Sequence, residues 1–257
     1  SNTAAAPPRR RRVLLPALMV LAAALAIGVL SLQMLRKHAE IDSIAVLPFI
    51  NLTGAPDNEY LCDGITEGII NSLSQLPELS VSSRNSVIRY KGQEADARIV
   101  GPELDVEAIL LGRIERTGNN LTINAELVDT RNGRRIWGDR FVRKISDTMA
   151  VQDDIVSIIT DKLQRRLSDE ASQNLASVRP ANSEAYDLYL KGRYHWNKGT
   201  LEDRRKADEY FEAAFAKDPS YSLAAAGCAA CHAINTDGLP PKDGMRKAKQ
   251  VALVALK

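Results

Sequence analysis

The chain has 257 residues, of which 45% are hydrophobic and 26% charged, a balance that fits folded domains and excludes global disorder. Its formal net charge of +2 rules out a chain that attracts nucleic acid or acidic substrates by bulk electrostatics. Three cysteines, an odd number, exclude a secreted scaffold stapled throughout by disulfides.

The first 12 residues combine an Ala/Pro-rich stretch with a basic run, Arg9 to Arg12. Residues 13–35 carry no charge and are long enough for one membrane-spanning helix. The apolar core of a signal peptide is shorter, about 7–15 residues, so a retained anchor is expected. Four arginines before the span against Arg36, Lys37 and His38 after it point to a cytoplasmic N-terminus. The rest of the chain then lies outside the cytoplasm, anchored in the inner membrane. The chain starts at Ser1 rather than Met and stops at Lys257 inside a helical pattern, so a longer protein is expected around it.

An α/β domain is expected over 41–168. Ser43 to Phe49 is a β-branched apolar run and predicts a buried strand. Asn51 to Asn58 has loop composition. Leu61, Ile65, Ile69, Leu73 and Leu76 recur at helical spacing until Pro77. Leu79 to Ser83 predicts a second strand and Ala97 to Leu104 a short helix. Ala108 to Arg116 and Leu121 to Asp129 predict two strands around Gly118-Asn119-Asn120. In the second of them Leu121, Ile123, Ala125 and Leu127 alternate with polar residues. Asn132-Gly133 reads as a two-residue hairpin turn leading to a strand over Arg135 to Val142. On that strand Arg135, Trp137 and Phe141 are expected on one face, opposite Ile136 and Val142. Val151, Ile155, Ile158, Ile159, Leu163 and Leu167 mark a closing amphipathic helix. The order β-α-β-α-β-β-β-α predicts helices packed on a mixed sheet.

SIAVLPFINLTG, EYLCDGITEGIINSLSQLPEL, ELVDTRNGRRIWGDRF and VQDDI together resemble the TolB-like amino-terminal domain family over about residues 41–170. The resemblance implies a bacterial signalling protein in which this domain follows a membrane span and precedes tetratricopeptide repeats. The wording is most similar to the extracytoplasmic part of receptor-like serine/threonine kinases. Related arrangements carry adenylate cyclase or winged-helix DNA-binding domains.

Residues 169–182 are polar, include Pro180 and read as a linker. Over 183–257, Leu188 and Gly192 on one helix face Ala207, Phe211 and Ala214 on the next, with Pro219 closing. This is the tetratricopeptide pattern, in which small residues let paired helices approach and an aromatic fills the groove. A second pair is expected from Tyr221, cut short at Lys257. Stacked pairs form a concave surface suited to a protein or peptide partner.

Cys228-Ala-Ala-Cys231-His232 matches the haem-attachment pattern, but the residues fall within a repeat helix and read as core packing, with a redox dithiol or disulfide as the alternative. Cys62 reads the same way. Asp63, Gly64, Glu67 and Arg84 form a candidate ligand edge at the strand ends, and the DGIT wording draws attention to it. The basic-aromatic stretch Arg134 to Lys144 reads as a sheet surface, not a nucleic-acid site. The three histidines are scattered, and no phosphate loop, zinc pair, nucleophile elbow or kinase signature occurs. No metal and no cofactor is therefore expected. The expected function is non-catalytic sensing and docking, coupled to an output domain by homodimerisation. An envelope scaffold is the alternative.

Overall fold

The computed structural model describes residues 41–77, 79–163, 179–234 and 241–255. The basic run, the expected span over 13–35 and most of the expected linker lie outside them. Among the described residues no helix is long and apolar enough to cross a membrane. From Asp42 onward they belong to one compact unit, a mixed α/β sheet followed by a helical region.

The sheet has strands β1 (Ser43–Val46), β2 (Ile50–Asn51), β3 (Ser80–Val81), β4 (Ala108–Thr117), β5 (Asn120–Asp129) and β6 (Arg135–Lys144). The order β3-β1-β4-β5-β6 is parallel on the first half and antiparallel on the second, with β2 pairing further along β4. Burial on both faces explains why Ile44, Ala45 and Val46 are all apolar and inaccessible. The first strand stops earlier than the apolar run predicts. Pro48 has no N–H to give the ladder, and the Phe49 N–H turns to Thr66 Oγ1 at 3.0 Å. The Phe49 ring then lies over Gly112, where a Cβ would meet it at 2.3 Å.

Helix α1 (Glu59–Leu73) buries the stripe Leu61, Ile65, Ile69 and Leu73, as its spacing predicts. The second strand is shorter than predicted because Ser83 leaves it to cap α2 (Arg84–Val87), its hydroxyl accepting from the Ser86 N–H. Asp96 caps α3 (Ala97–Leu104). Helix α4 (Thr148–Lys162) buries Val151, Ile155 and Ile159, with Leu163 just beyond it. Ile158 is half-buried and Leu167 lies outside the described residues. Helices α1 and α4 pack together over the face formed by Leu110, Ile114, Leu121, Ile123 and Leu127. The opposite face keeps Arg113, Thr122, Asn124, Glu126, Arg140 and Val142 at least partly open.

Two hairpin expectations differ in outcome. Thr117 pairs with Asn120 across Gly118-Asn119, with Gly118 at φ +60°. The β5–β6 turn is longer than Asn132-Gly133, because Asp129 organises a loop over 130–134. Its carboxylate accepts from the Arg131 N–H, the Arg131 guanidinium and Asn132 Nδ2, while the Gly133 N–H donates to its carbonyl at 2.8 Å. Hydrogen bonds from the Arg131 side chain hold Asp129 below the usual carboxylate range, although burial opposes them. A depressed folded pKa contributes stability above the unfolded value of about 4, lost as pH falls through the folded value. Asp129→Asn is expected to lose about 1–2 kcal/mol at pH 7 and less near pH 3, as read by urea unfolding at both pH values.

The register slips between Leu127 and Val128, placing Arg135 opposite Val128 and Trp137 opposite Leu127. The bulge turns Arg135 to the open face, beside Gly138 and away from Trp137 and Phe141, correcting the alternation read from sequence.

The helical region contains α5 (Ser183–Lys198), α6 (Leu201–Lys217), α7 (Ser222–Ala233) and α8 (Pro241–Ala255), each packed on the next. Asn182 and Thr200 cap the first two, and Gly199 turns between them at φ +77°. Gly192, Ala207, Phe211 and Ala214 meet in the core between α5 and α6. Leu188 is half-buried, and Pro219 is exposed in the α6–α7 turn.

Candidate functional site

The candidate ligand-edge residues lie where α1 of the sheet domain meets α5 of the helical region. Gly64 is the point of closest approach: a Cβ there would stand 2.7 Å from Leu190 Cδ2. Glu67 receives Arg193 from α5, with Asn197 Nδ2 at 3.5 Å and Arg84 Nε at 3.8 Å. Asp63 accepts from Lys91 Nζ at 2.6 Å, and Glu59 stands 3.2 Å from the same ammonium. Burial pulls the Lys91 pKa down, but Asp63 and Glu59 outweigh it and hold it above the ordinary value. The structure therefore brings Gly64, Glu67 and Arg84 to one seam, with Asp63 on its flank beside Lys91.

Other bonds lengthen the seam. The Tyr60 hydroxyl donates to Asp187 Oδ1 at 2.6 Å, and Lys191, paired with Asp187 at 2.7 Å, lies over the Tyr60 ring. Gln152 on α4 ties three helices together. It accepts from the Tyr186 hydroxyl at 2.7 Å, donates to the Gly64 carbonyl at 3.3 Å and fills the space above Gly68. Sequence reasoning missed Gln152, Tyr186 and Arg193. The signal was present in part, since Gly64 and Gly68 sit four apart on an otherwise bulky helix.

Within this seam is a cavity of about 100 Å³ whose lining includes Glu67, Gln152, Tyr186, Tyr189, Arg193 and Tyr221. Burial pushes the Tyr189 hydroxyl up to about 12 and raises Tyr186 and Tyr221 further, so all three stay neutral donors. Such a space holds a few waters or a small polar group.

The second constellation lies in the helical region. Cys228 and Cys231 are buried in the cluster with Ala207 and Phe211. His232 Nδ1 lies 3.8 Å from Asp208 Oδ2 and its Nε2 lies 3.8 Å from Glu212 Oε1. Donor atoms of these three residues fall within 4.8 Å of one another, the spacing of a metal-binding group, although Lys247 also reaches Glu212 at 3.4 Å. Cys228 is 2% and Cys231 0% exposed, so both side chains are buried in the packing of α7.

Burial pushes Cys62, Cys228 and Cys231 up to about 12 from an ordinary value of 9.0, cutting the thiolate fraction about a thousandfold. Thiol reagents are expected to leave all three unlabelled over minutes in the native protein and to label all three in denaturant. Fast native labelling of Cys228 or Cys231 would mean that α7 is not packed as described.

No family model matches the chain. Over 151 residues it is 40% identical to a protein of Rhizobium meliloti (strain 1021) named "Putative adenylate cyclase 3", a match covering 59% of this chain and 26% of that protein. The chain thus spans about a quarter of that relative. Among solved structures, TolB from Acinetobacter baumannii aligns with 49% of this chain and 30% of its own at 16% identity and a TM-score of 0.36. Lipoprotein GNA1162 from Neisseria meningitidis aligns with 49% of this chain and 99% of its own at 20% identity and a TM-score of 0.35. Likeness at this level assigns neither fold family nor function.

Proposed function

We propose that this chain is a non-catalytic sensing and docking region of a membrane-anchored signalling protein, lying outside the cytoplasm. The observation that carries the reading is the seam: the sheet domain and the helical region are joined by Gly64–Leu190 contact, the Glu67–Arg193 pair and the Gln152 bridge. A ligand held by either part would act on both as one body, and through the apolar stretch 13–35 on whatever precedes it. Helices α5 to α8 are read as tetratricopeptide pairs whose concave side takes a protein or peptide. The match to a protein named as an adenylate cyclase supports a cyclase output domain elsewhere in the longer protein. The resemblance to receptor-like kinases supports a kinase in that place.

The test compares this chain with the full-length gene product in assays for cyclic AMP formation and for phosphoryl transfer. Activity in the full-length protein alone is expected. Turnover by the chain itself would overturn the non-catalytic reading, and absence of both activities from the full-length protein would leave an envelope scaffold.

A further inference from the structure

We infer that β6 is a docking edge for an extended acidic segment of a partner protein, added to the sheet as a further strand. This inference is independent of the output domain proposed above. Among the described residues strand β6 has one sheet neighbour, β5, and ends the sheet order on that side. It is ten residues long, and outside Phe141 its residues are exposed or half-buried. An edge of that length presents a row of backbone donors and acceptors without strand partners, the template that strand addition uses.

Charge selects the occupant. Between positions 134 and 144 stand Arg134, Arg135, Arg140, Arg143 and Lys144 against one carboxylate, Asp139. Arg143 is committed to Asp154 on α4 at 3.5 Å. The bulge brings Arg135 to the open face, where alternation also places Arg140 and Lys144. Arg135 and Arg140 line a groove of about 430 Å³ there together with Arg113, Glu126 and Asp139. A second copy pairing β6 with β6 would set these cations against the same set. Like charges directly opposite on paired strands are destabilising, so the edge is guarded against self-association. An incoming strand with carboxylates at alternate positions meets Arg135, Arg140 and Lys144 on one face. Exposed Val142, between Arg140 and Lys144 on that face, offers an apolar contact to a β-branched neighbour.

The probe is a fluorescent decapeptide of alternating Glu and Thr, titrated with the full 257-residue chain in neutral detergent. Two controls have the same length: alternating Lys and Thr, and the Glu-Thr sequence N-methylated at every peptide bond. The last keeps the charge but has no backbone N–H to donate to a ladder. Glu-Thr is expected to bind at least about tenfold tighter than either control, and more weakly as salt rises from about 0.1 M to about 1 M. Amide exchange should slow in β6 when the peptide binds. Arg135→Glu with Arg140→Glu and Lys144→Glu should abolish binding while leaving the circular dichroism spectrum unchanged, since all three side chains are exposed. Equal affinity for Glu-Thr and its N-methylated form would overturn strand addition in favour of a charged surface only. No binding, or concentration-dependent dimerisation that protects β6 instead, would also overturn the inference.

Discussion

Phe211→Ala is expected to destabilise the protein by about 3–5 kcal/mol, the range for emptying a large aromatic site in a core that cannot collapse. The ring is 1% exposed. It sits between two glycines on different helices: a Cβ at Gly192 would stand 2.6 Å from it and one at Gly227 2.7 Å. Tyr189 is tilted against it at 5.8 Å, and Ala207, Cys228 and Cys231 close the remaining sides. Apart from Tyr189, these neighbours are helix backbone or short side chains, which reach little of the space the ring would leave. Phe211→Leu keeps most of the volume and should cost about 1–2 kcal/mol. Gly192→Ala, which adds a methyl where the ring already stands, should cost a similar amount by overpacking. Urea unfolding followed by circular dichroism reads all three. Phe211→Ala losing less than about 1 kcal/mol would mean that α5, α6 and α7 do not share this core.

Phe211 was legible in the sequence because its determinants are local in pattern: small residues at helical spacing on neighbouring helices, with one aromatic between them. The strand β5 was legible for the same reason, since alternation along ten residues is a local signal. Readings failed where a side chain or a register competed with the local rule. The Asp129 carboxylate gathers three donors and lengthens a turn that Asn132-Gly133 alone would close in two residues. One bulge moves Arg135 across the sheet, which alternation cannot anticipate. At the seam the sequence marked Gly64 and Glu67 but not what they meet. Arg193 lies 126 residues from Glu67, and nothing within either segment states that distance. A glycine on a helix shows that something approaches closely; only the fold shows that it is Leu190.

Arg193→Glu is expected to cost about 2–3 kcal/mol and to loosen the helical region from the sheet domain. Breaking a buried ion pair costs about 3–5 kcal/mol, but these side chains retain 31% and 15% of their exposure, so solvent screening reduces the figure. The substitution sets a second carboxylate against Glu67 on the face where Gly64 and Leu190 must touch. Arg84, at 3.8 Å from Glu67, offsets part of the repulsion but belongs to the sheet domain and cannot hold α5. A single unfolding transition should become two, and amide exchange should rise in α1 and α5 while β4 and β5 keep their protection. Adding Glu67→Arg restores an opposite-charge pair. Its rescue should be partial, because the new guanidinium meets Arg84. Raising salt to about 1 M shortens the screening length to about 3 Å and should recover part of the loss in the single variant. A loss below about 0.5 kcal/mol with one transition retained would show that the Leu190 and Gln152 contacts carry the seam without the ion pair. The coupling between the two parts would then rest on packing at Gly64, and Gly64→Leu would be the variant that separates them.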